Sequence, residues 1–145
     1  MIKSLISMTL LLLLSGCSQL RTLDADYLPI GKVSWYDEDY VMIRGDYQWV
    51  AEDKEVTYFT GPSVDALVKD FEQMYALAGD ELQLHFPEPP LDIIIQQENE
   101  DGTIHNIQIK NQAFTLPTEK GSYIYEIEAK WDKGEVIYVF NVDVQ

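Results

Sequence analysis

The apolar positions of this chain change their period along its length. From Leu5 to Leu14 they form one apolar stretch, interrupted only by Ser7 and Thr9. From Lys32 onward they become scattered β-branched and aromatic residues: Val33, Trp35, Val41, Ile43, Tyr47, Trp49, Val56, Tyr58 and Phe59. Polar breaks fall at Asp37-Glu38-Asp39, Gly45-Asp46 and Glu52-Asp53-Lys54. Such residues pack well on a pleated surface, so this stretch predicts short strands. The period then shifts. Val64, Leu67, Val68 and Phe71 stand at i, i+3, i+4 and i+7, one face of a helix. Ser63 is positioned to cap its start and Gly79 is a candidate end. Gln73 to Ala78 also alternates like a strand, so the predicted helix runs from Val64 to about Phe71.

Beyond Gly79-Asp80 the alternation is steady. Leu82, Leu84 and Phe86 share a face before Pro87-Glu88-Pro89-Pro90 interrupts the chain. Ile93 to Ile95 predicts a short strand, and Asp101-Gly102 a two-residue hairpin turn. Ile107 and Ile109 alternate, and Phe114 and Leu116 precede a stop at Pro117. Two long strands close the sequence. Tyr123, Tyr125, Ile127, Ala129 and Trp131 line one face of the first, and Val136, Tyr138, Phe140 and Val142 one face of the second, with Asp132-Lys133-Gly134 turning between them. Many short strands at regular spacing predict a mostly β protein, an antiparallel β-sandwich with one short helix.

Within the first long strand, Glu119-Lys120-Gly121-Ser122-Tyr123-Ile124-Tyr125 resembles the acidic-x-Gly-x-Tyr-x-Cys signature of immunoglobulin-like domains. The resemblance implies an immunoglobulin-like sandwich over about residues 72–145. It also makes Tyr123 a tyrosine corner, with its hydroxyl bonded back to the preceding turn. Tyr125 stands where the family places a disulfide cysteine.

The N-terminal run is about half the length that crosses a bilayer as a helix. Lys3 precedes it and the small residues Ser15 and Gly16 follow, the layout of a secretory leader. Leu14-Ser15-Gly16-Cys17 resembles the lipobox of bacterial lipoproteins. That resemblance implies cleavage between Gly16 and Cys17 and a thioether-linked diacylglycerol on Cys17, the single cysteine. Two or three acyl chains hold a protein on a membrane firmly. The expected organisation is a leader over 1–16, a lipidated cysteine and tether over 17–31, and one β-rich domain over 32–145. As a coil, Ser18–Ile30 would reach roughly 20 Å. With Gly45-Asp46-Tyr47-Gln48-Trp49, Leu67-Val68-Lys69 and Lys130-Trp131, the chain is similar to small lipoproteins of Gram-positive bacilli. The likeness implies location and fold and supplies no activity.

Composition sharpens this picture. With 25 acidic against 10 basic residues the net charge is −15, and loss of Lys3 with the leader makes it more negative. Such a surface repels nucleic acid and anionic headgroups. The one cysteine is the lipid site, so an exported domain must be stable by packing without a disulfide.

Candidate chemistry is sparse. His85 is read as solvent-facing and His105 as a sheet-edge residue, and neither lies in a zinc-ligand spacing. Glu98, Glu100 and Asp101 surround Gly102 without the spacing of a calcium loop, which favours a hairpin tip. No Gly-x-Ser-x-Gly or phosphate loop occurs. No catalytic residue, metal site or cofactor is therefore assigned, apart from the covalent lipid. The aromatics of the less regular N-terminal part, Trp35, Tyr36, Tyr40, Tyr47 and Trp49, are the candidate contact surface.

The expectation is an extracytoplasmic, membrane-anchored, non-enzymatic module that binds a basic protein or an envelope component. The alternative is an extracellular hydrolase or hydrolase inhibitor using carboxylates. Two convergent carboxylates in a pocket would favour the alternative; an aromatic patch on a sandwich without a pocket would favour the module.

Overall fold

A computed structural model describes residues 26–59, 61 and 63–145. The leader, Gly16, Cys17 and the first part of the tether lie outside the described residues. Strand β1 (Lys32–Trp35) turns into β2 (Glu38–Val41), which continues past Met42 as β3 (Ile43–Ala51). Strand β4 (Lys54–Tyr58) and helix α1 (Val64–Val68) follow. The chain then forms β5 (Tyr75–Ala76), β6 (Glu81–His85), β7 (Asp92–Glu98), β8 (Ile104–Ile107), β9 (Ala113–Thr115), β10 (Gly121–Trp131) and β11 (Gly134–Val144).

Two sheets pack into a sandwich. The smaller has the order β2-β1-β6-β9, and the larger β4-β3-β11-β10-β7-β8, with β5 added parallel to β11. The run from β2 to β3 serves both sheets. Its first half pairs with β1 and its second with β11, and buried Met42 at the bend donates its N–H to the Gly31 carbonyl at 2.9 Å. A strand that switches sheets closes a sandwich corner. From β6 onward the connectivity is immunoglobulin-like: β6 and β9 stand as B and E, and β7, β10 and β11 as C, F and G.

The alternation read from the sequence forms the core. Tyr125, Ile127, Ala129, Val136, Tyr138, Phe140 and Val142 are fully buried, facing Val33, Leu82 and Leu84 of the small sheet. Tyr125 stacks on Phe140 at 5.0 Å and tilts against Phe114 at 5.1 Å. Each fully buried side chain of this size contributes about 1.5–3 kcal/mol.

Three expectations need correction. Folding begins before Lys32: Leu28 is buried, Tyr27 packs on the core, and the Tyr138 hydroxyl donates to the Pro29 carbonyl at 2.6 Å. The segment can close in because residue 31 is glycine. A Cβ there would lie 2.9 Å from a Phe86 ring carbon and 3.0 Å from a Tyr138 ring carbon.

The helix ends at Val68, short of Phe71. Ser63 does cap it, accepting from the Ala66 N–H at 3.3 Å, and Val64, Leu67 and Val68 are half-buried. The next turn tightens, with Asp70 and Phe71 N–H groups reaching only three residues back. Phe71 is thereby swung into the core, where it meets Tyr40 at 6.2 Å and Phe140 at 5.9 Å. Gly79 ends no helix. It sits at φ +79° in the turn between β5 and β6 and donates to the Pro117 carbonyl.

The third correction concerns the β7–β8 hairpin, whose turn is three residues long instead of two. Asn99 N–H donates to Thr103 and Gly102 N–H to Asn99, both at 2.9 Å, with Gly102 at φ +81°. A type I turn followed by a left-handed residue gives this loop its twist.

Candidate binding cleft

The β7–β8 hairpin and the β9–β10 connection meet at one end of the sandwich. Strand β9 is only three residues long, so the small sheet does not cover the inner side of this hairpin. The result is an open cleft of about 500 Å³, lined among others by Gln97, Glu100, Asp101, His105, Glu119 and Tyr123.

Its wall is fixed by two sets of hydrogen bonds. The Tyr123 hydroxyl donates to the Glu119 carbonyl at 2.7 Å, the tyrosine-corner bond expected from the sequence. This bond holds the β9–β10 turn against the start of β10. On the other side a chain of bonds runs outward from the core. The buried Tyr125 hydroxyl donates to Gln97 Oε1 at 3.0 Å, and Gln97 Nε2 donates to Asn99 Oδ1 at 2.8 Å. Asn99 Nδ2 donates to Thr103 Oγ1 at 2.9 Å, which donates to Asp101. Glu100 ties the walls together by accepting the Ser122 N–H at 2.8 Å.

Electrostatics follow from these contacts. Burial pushes the Tyr125 phenol up strongly. Burial, then the charges of Glu119 and Glu100, raise Tyr123. Both phenols therefore stay neutral donors. The Thr103 hydroxyl and N–H hold Asp101 below the usual carboxylate range. The cleft thus presents fixed negative charge beside His105, which lies at the sheet edge on β8.

The five aromatics expected to form a contact surface do not come together. Trp35 is half-buried, donating from Nε1 to Asp80 at 2.8 Å, with Tyr36 edge-on to it at 5.1 Å. Tyr36, at φ +51° in the β1–β2 turn, is 75% exposed. Tyr40 and Trp49 belong to the core, which corrects their assignment to the surface. The Tyr40 hydroxyl donates to Glu38 at 2.6 Å; that bond, with burial, raises its pKa to about 12. Trp49 lies edge-on to Trp131 at 5.7 Å. Tyr47 is half-buried and stacks on Tyr58 at 5.5 Å. Tyr47 and Trp49 share the inner face of β3 by strand parity, and that parity is what buries Trp49.

The sequence names Glu100, Asp101, His105 and Tyr123 singly and does not join them into a cleft, yet one signal for it exists. Gln97 continues the parity of Ile93 and Ile95, placing an amide at a core position. A buried amide must be satisfied, so it points to a polar network.

Among the described residues no group of three or more His, Cys, Asp or Glu is disposed to hold a metal ion. No helix among them is long and apolar enough to cross a membrane. Fold and cleft define a β-sandwich with an open, acidic recess at one end. Compared with protein-family models, curated proteins and solved structures, the chain matches none.

Proposed function

We propose that this chain is a lipid-anchored, extracytoplasmic binding module whose acidic end captures a basic protein or envelope component without chemistry. The observation that carries this reading is polarity along the sandwich. Residues 26–31 join the domain beside Trp131 and the Asp132-Lys133 turn, since Asp26, Pro29, Trp131 and Lys133 line one shared recess. The cleft lies where β10 begins, and β10 is eleven residues long. At about 3.3 Å per residue, cleft and chain entry are roughly 35 Å apart. If Cys17 carries lipid, the entry at Asp26 follows the anchor by nine residues. A flexible chain of that length has a root-mean-square reach of roughly 15–20 Å, so the entry end is the one nearer the membrane. The acidic end then faces away from the membrane.

A second reading, a hydrolase, draws on Glu100, Asp101 and Glu119 around one cleft. A general acid at neutral pH needs a raised pKa, however, and Asp101 is shifted downward. Glu100 is committed to the Ser122 N–H. The binding module is the better supported of the two.

A carbodiimide joins carboxylates directly to lysine amines, so it can trap a basic partner on intact cells. An adduct that weakens with salt and with Glu100→Gln/Glu119→Gln is the expected result. Absence of any adduct, together with turnover of a peptide or glycan by the purified protein, would replace the module with the enzyme. Cys17→Ala should leave unprocessed precursor or shed protein, read by cell fractionation; a processed variant still held in the membrane would sink the anchor.

A further inference from the structure

Sheet edges differ in how they are guarded. Exposed edges are normally blunted by charge, proline or short length. Strand β4 opens on Lys54-Glu55, β2 carries Glu38 and Asp39, and β9 is three residues long. Strand β8, four residues long, lacks the charge and the proline. Its sequence is Ile104-His105-Asn106-Ile107, with no lysine, acidic residue or proline, and Ile104 is 59% exposed. Among the described residues, no strand pairs with its outer side.

The groups that face outward can be assigned. Asn99 and Thr103 are a hydrogen-bonded pair at the hairpin mouth. Bonded and non-bonded pairs alternate along an antiparallel ladder. The register Gln97↔His105 and Ile95↔Ile107 therefore turns those N–H groups toward β7. The N–H and C=O groups of Ile104 and Asn106 point away from the sheet. His105 shares the inner face with Gln97 and lines the cleft. A strand laid along β8 would thus send alternate side chains over Glu100, Asp101 and Glu119.

We propose that β8 is a strand-addition site for an extended, basic segment of a partner protein, with backbone bonds from Ile104 and Asn106 and with lysine or arginine side chains at alternate positions over the cleft. This rests on the binding-module reading and names its partner's chemistry. Backbone pairing supplies affinity and the alternate side chains supply selection. Pairing with a second copy of this chain would bring two acidic clefts side by side, which like charge disfavours.

The test uses the full lipidated chain in phosphatidylcholine nanodiscs. Its probe is the blocked peptide Thr-Lys-Val-Lys-Val-Arg-Thr, with a twin carrying Glu at the three basic positions. Peptide anisotropy gives affinity, and amide hydrogen exchange locates contact. The basic peptide should bind, weaken as salt rises, and slow exchange at Ile104 and Asn106; the acidic twin should not bind. Asn106→Pro removes an outward N–H and leaves the backbone bonds between β7 and β8, at an edge position where proline is tolerated. It also loses the bond that Gln96 Nε2 donates to Asn106 Oδ1, a loss that Asn106→Ala shares. Asn106→Pro should weaken the peptide about tenfold or more, whereas Asn106→Ala should not. Should Asn106→Pro lower the Tm, exchange in the unsubstituted chain still decides. Undiminished binding to a folded Asn106→Pro variant, or protection away from β8, would overturn the proposal. So would a peptide-free dimer that Asn106→Pro abolishes, which would assign the edge to a second copy. Salt-sensitive adducts on cells alongside either result would leave the binding module standing and move its contact elsewhere.

Discussion

The polar chain beneath the cleft allows a sharp thermodynamic test. Tyr125→Phe removes one hydroxyl and nothing else. Its partner, Gln97 Oε1, belongs to a side chain only 7% exposed and would be left without that donor. Leaving a buried polar group unsatisfied costs about 1–3 kcal/mol. Gln97→Leu inverts the problem, since it strands the hydroxyl of Tyr125, which is fully buried. It should cost a similar amount, with Asn99 compensated by water at the surface. Removing both partners together is different, because neither group is then orphaned and replacing a pair by apolar groups is often close to neutral. The singles together should lose about 2–6 kcal/mol, and a near-neutral double variant should exceed their sum in stability by about that amount. Urea unfolding followed by tryptophan fluorescence would measure this, with the slope m constant across all four proteins. In thermal melts each kcal/mol corresponds to roughly 3–6 °C at this domain size. Additive single losses would mean that the two side chains do not share a buried bond, and would remove the anchored floor from the cleft.

Other expectations follow from single contacts. Tyr123→Phe should lose about 0.5–1.5 kcal/mol, the worth of one internal bond, measured by the same unfolding assay. Gly134→Ala should do far more damage: an added Cβ would lie 2.0 Å from the Gln48 carbonyl oxygen, and φ is +147°. Because backbone cannot step aside as a side chain can, the loss should reach about 3 kcal/mol or more, and a variant with unchanged Tm would refute the β3–β11 register. Conversely, Glu52 and Asp53 both hold positive φ in the two-residue β3–β4 turn. Asn-Gly is the preferred pair for such a turn, so Glu52→Asn/Asp53→Gly should stabilise by about 0.5–1 kcal/mol. Burial, then Asp46, Glu128 and Glu98, raise the pKa of Glu126. A carboxyl whose folded pKa exceeds its unfolded one destabilises the fold when ionised, and the cost fades as pH falls through the folded value. Glu126→Gln should therefore raise the urea midpoint at pH 7 and lose that advantage near pH 4.

The strands were legible because burial and alternation are the same fact seen twice. In β10 and β11 every inward position is apolar, so the sequence carries the pairing face directly. Where the backbone departs from regularity, the signal fails. The Glu52-Asp53 and Asn111-Gln112 turns adopt positive φ without glycine, so neither stands out as a tight hairpin turn. Phe71 fits a helical period yet leaves the helix, because a gap beside β11 between β3 and β5 gives its ring a place against Phe140. The aromatics near the N-terminus misled for a related reason. Tyr40 lies in a four-residue strand, and Trp49 in a longer one whose register against β11 shifts, so composition alone does not tell an exposed ring from a buried one. The cleft was invisible for a third reason: it needs the β7–β8 tip and the β9–β10 turn side by side, and only topology supplies that. The binding edge of β8 is likewise defined by which strands lie beside it.

Tyr125 joins these threads. It occupies the position where the immunoglobulin-like signature has a cysteine, and a disulfide there would typically contribute 2–5 kcal/mol. Burying the ring contributes about 1.5–3 kcal/mol, and its stack on Phe140 about 0.5–1.5 more. The two solutions are thus of comparable strength. They differ in where the strength is directed. A disulfide would tie β10 across to the small sheet, whereas the Tyr125 hydroxyl ties it sideways through Gln97 and Asn99 to the β7–β8 hairpin. That hairpin forms one wall of the cleft and carries the open edge. Core packing and presentation of the site therefore depend on the same side chain. A substitution at Tyr125 that preserved its volume and lost its hydroxyl would spare the sandwich and loosen the surface through which we propose it binds.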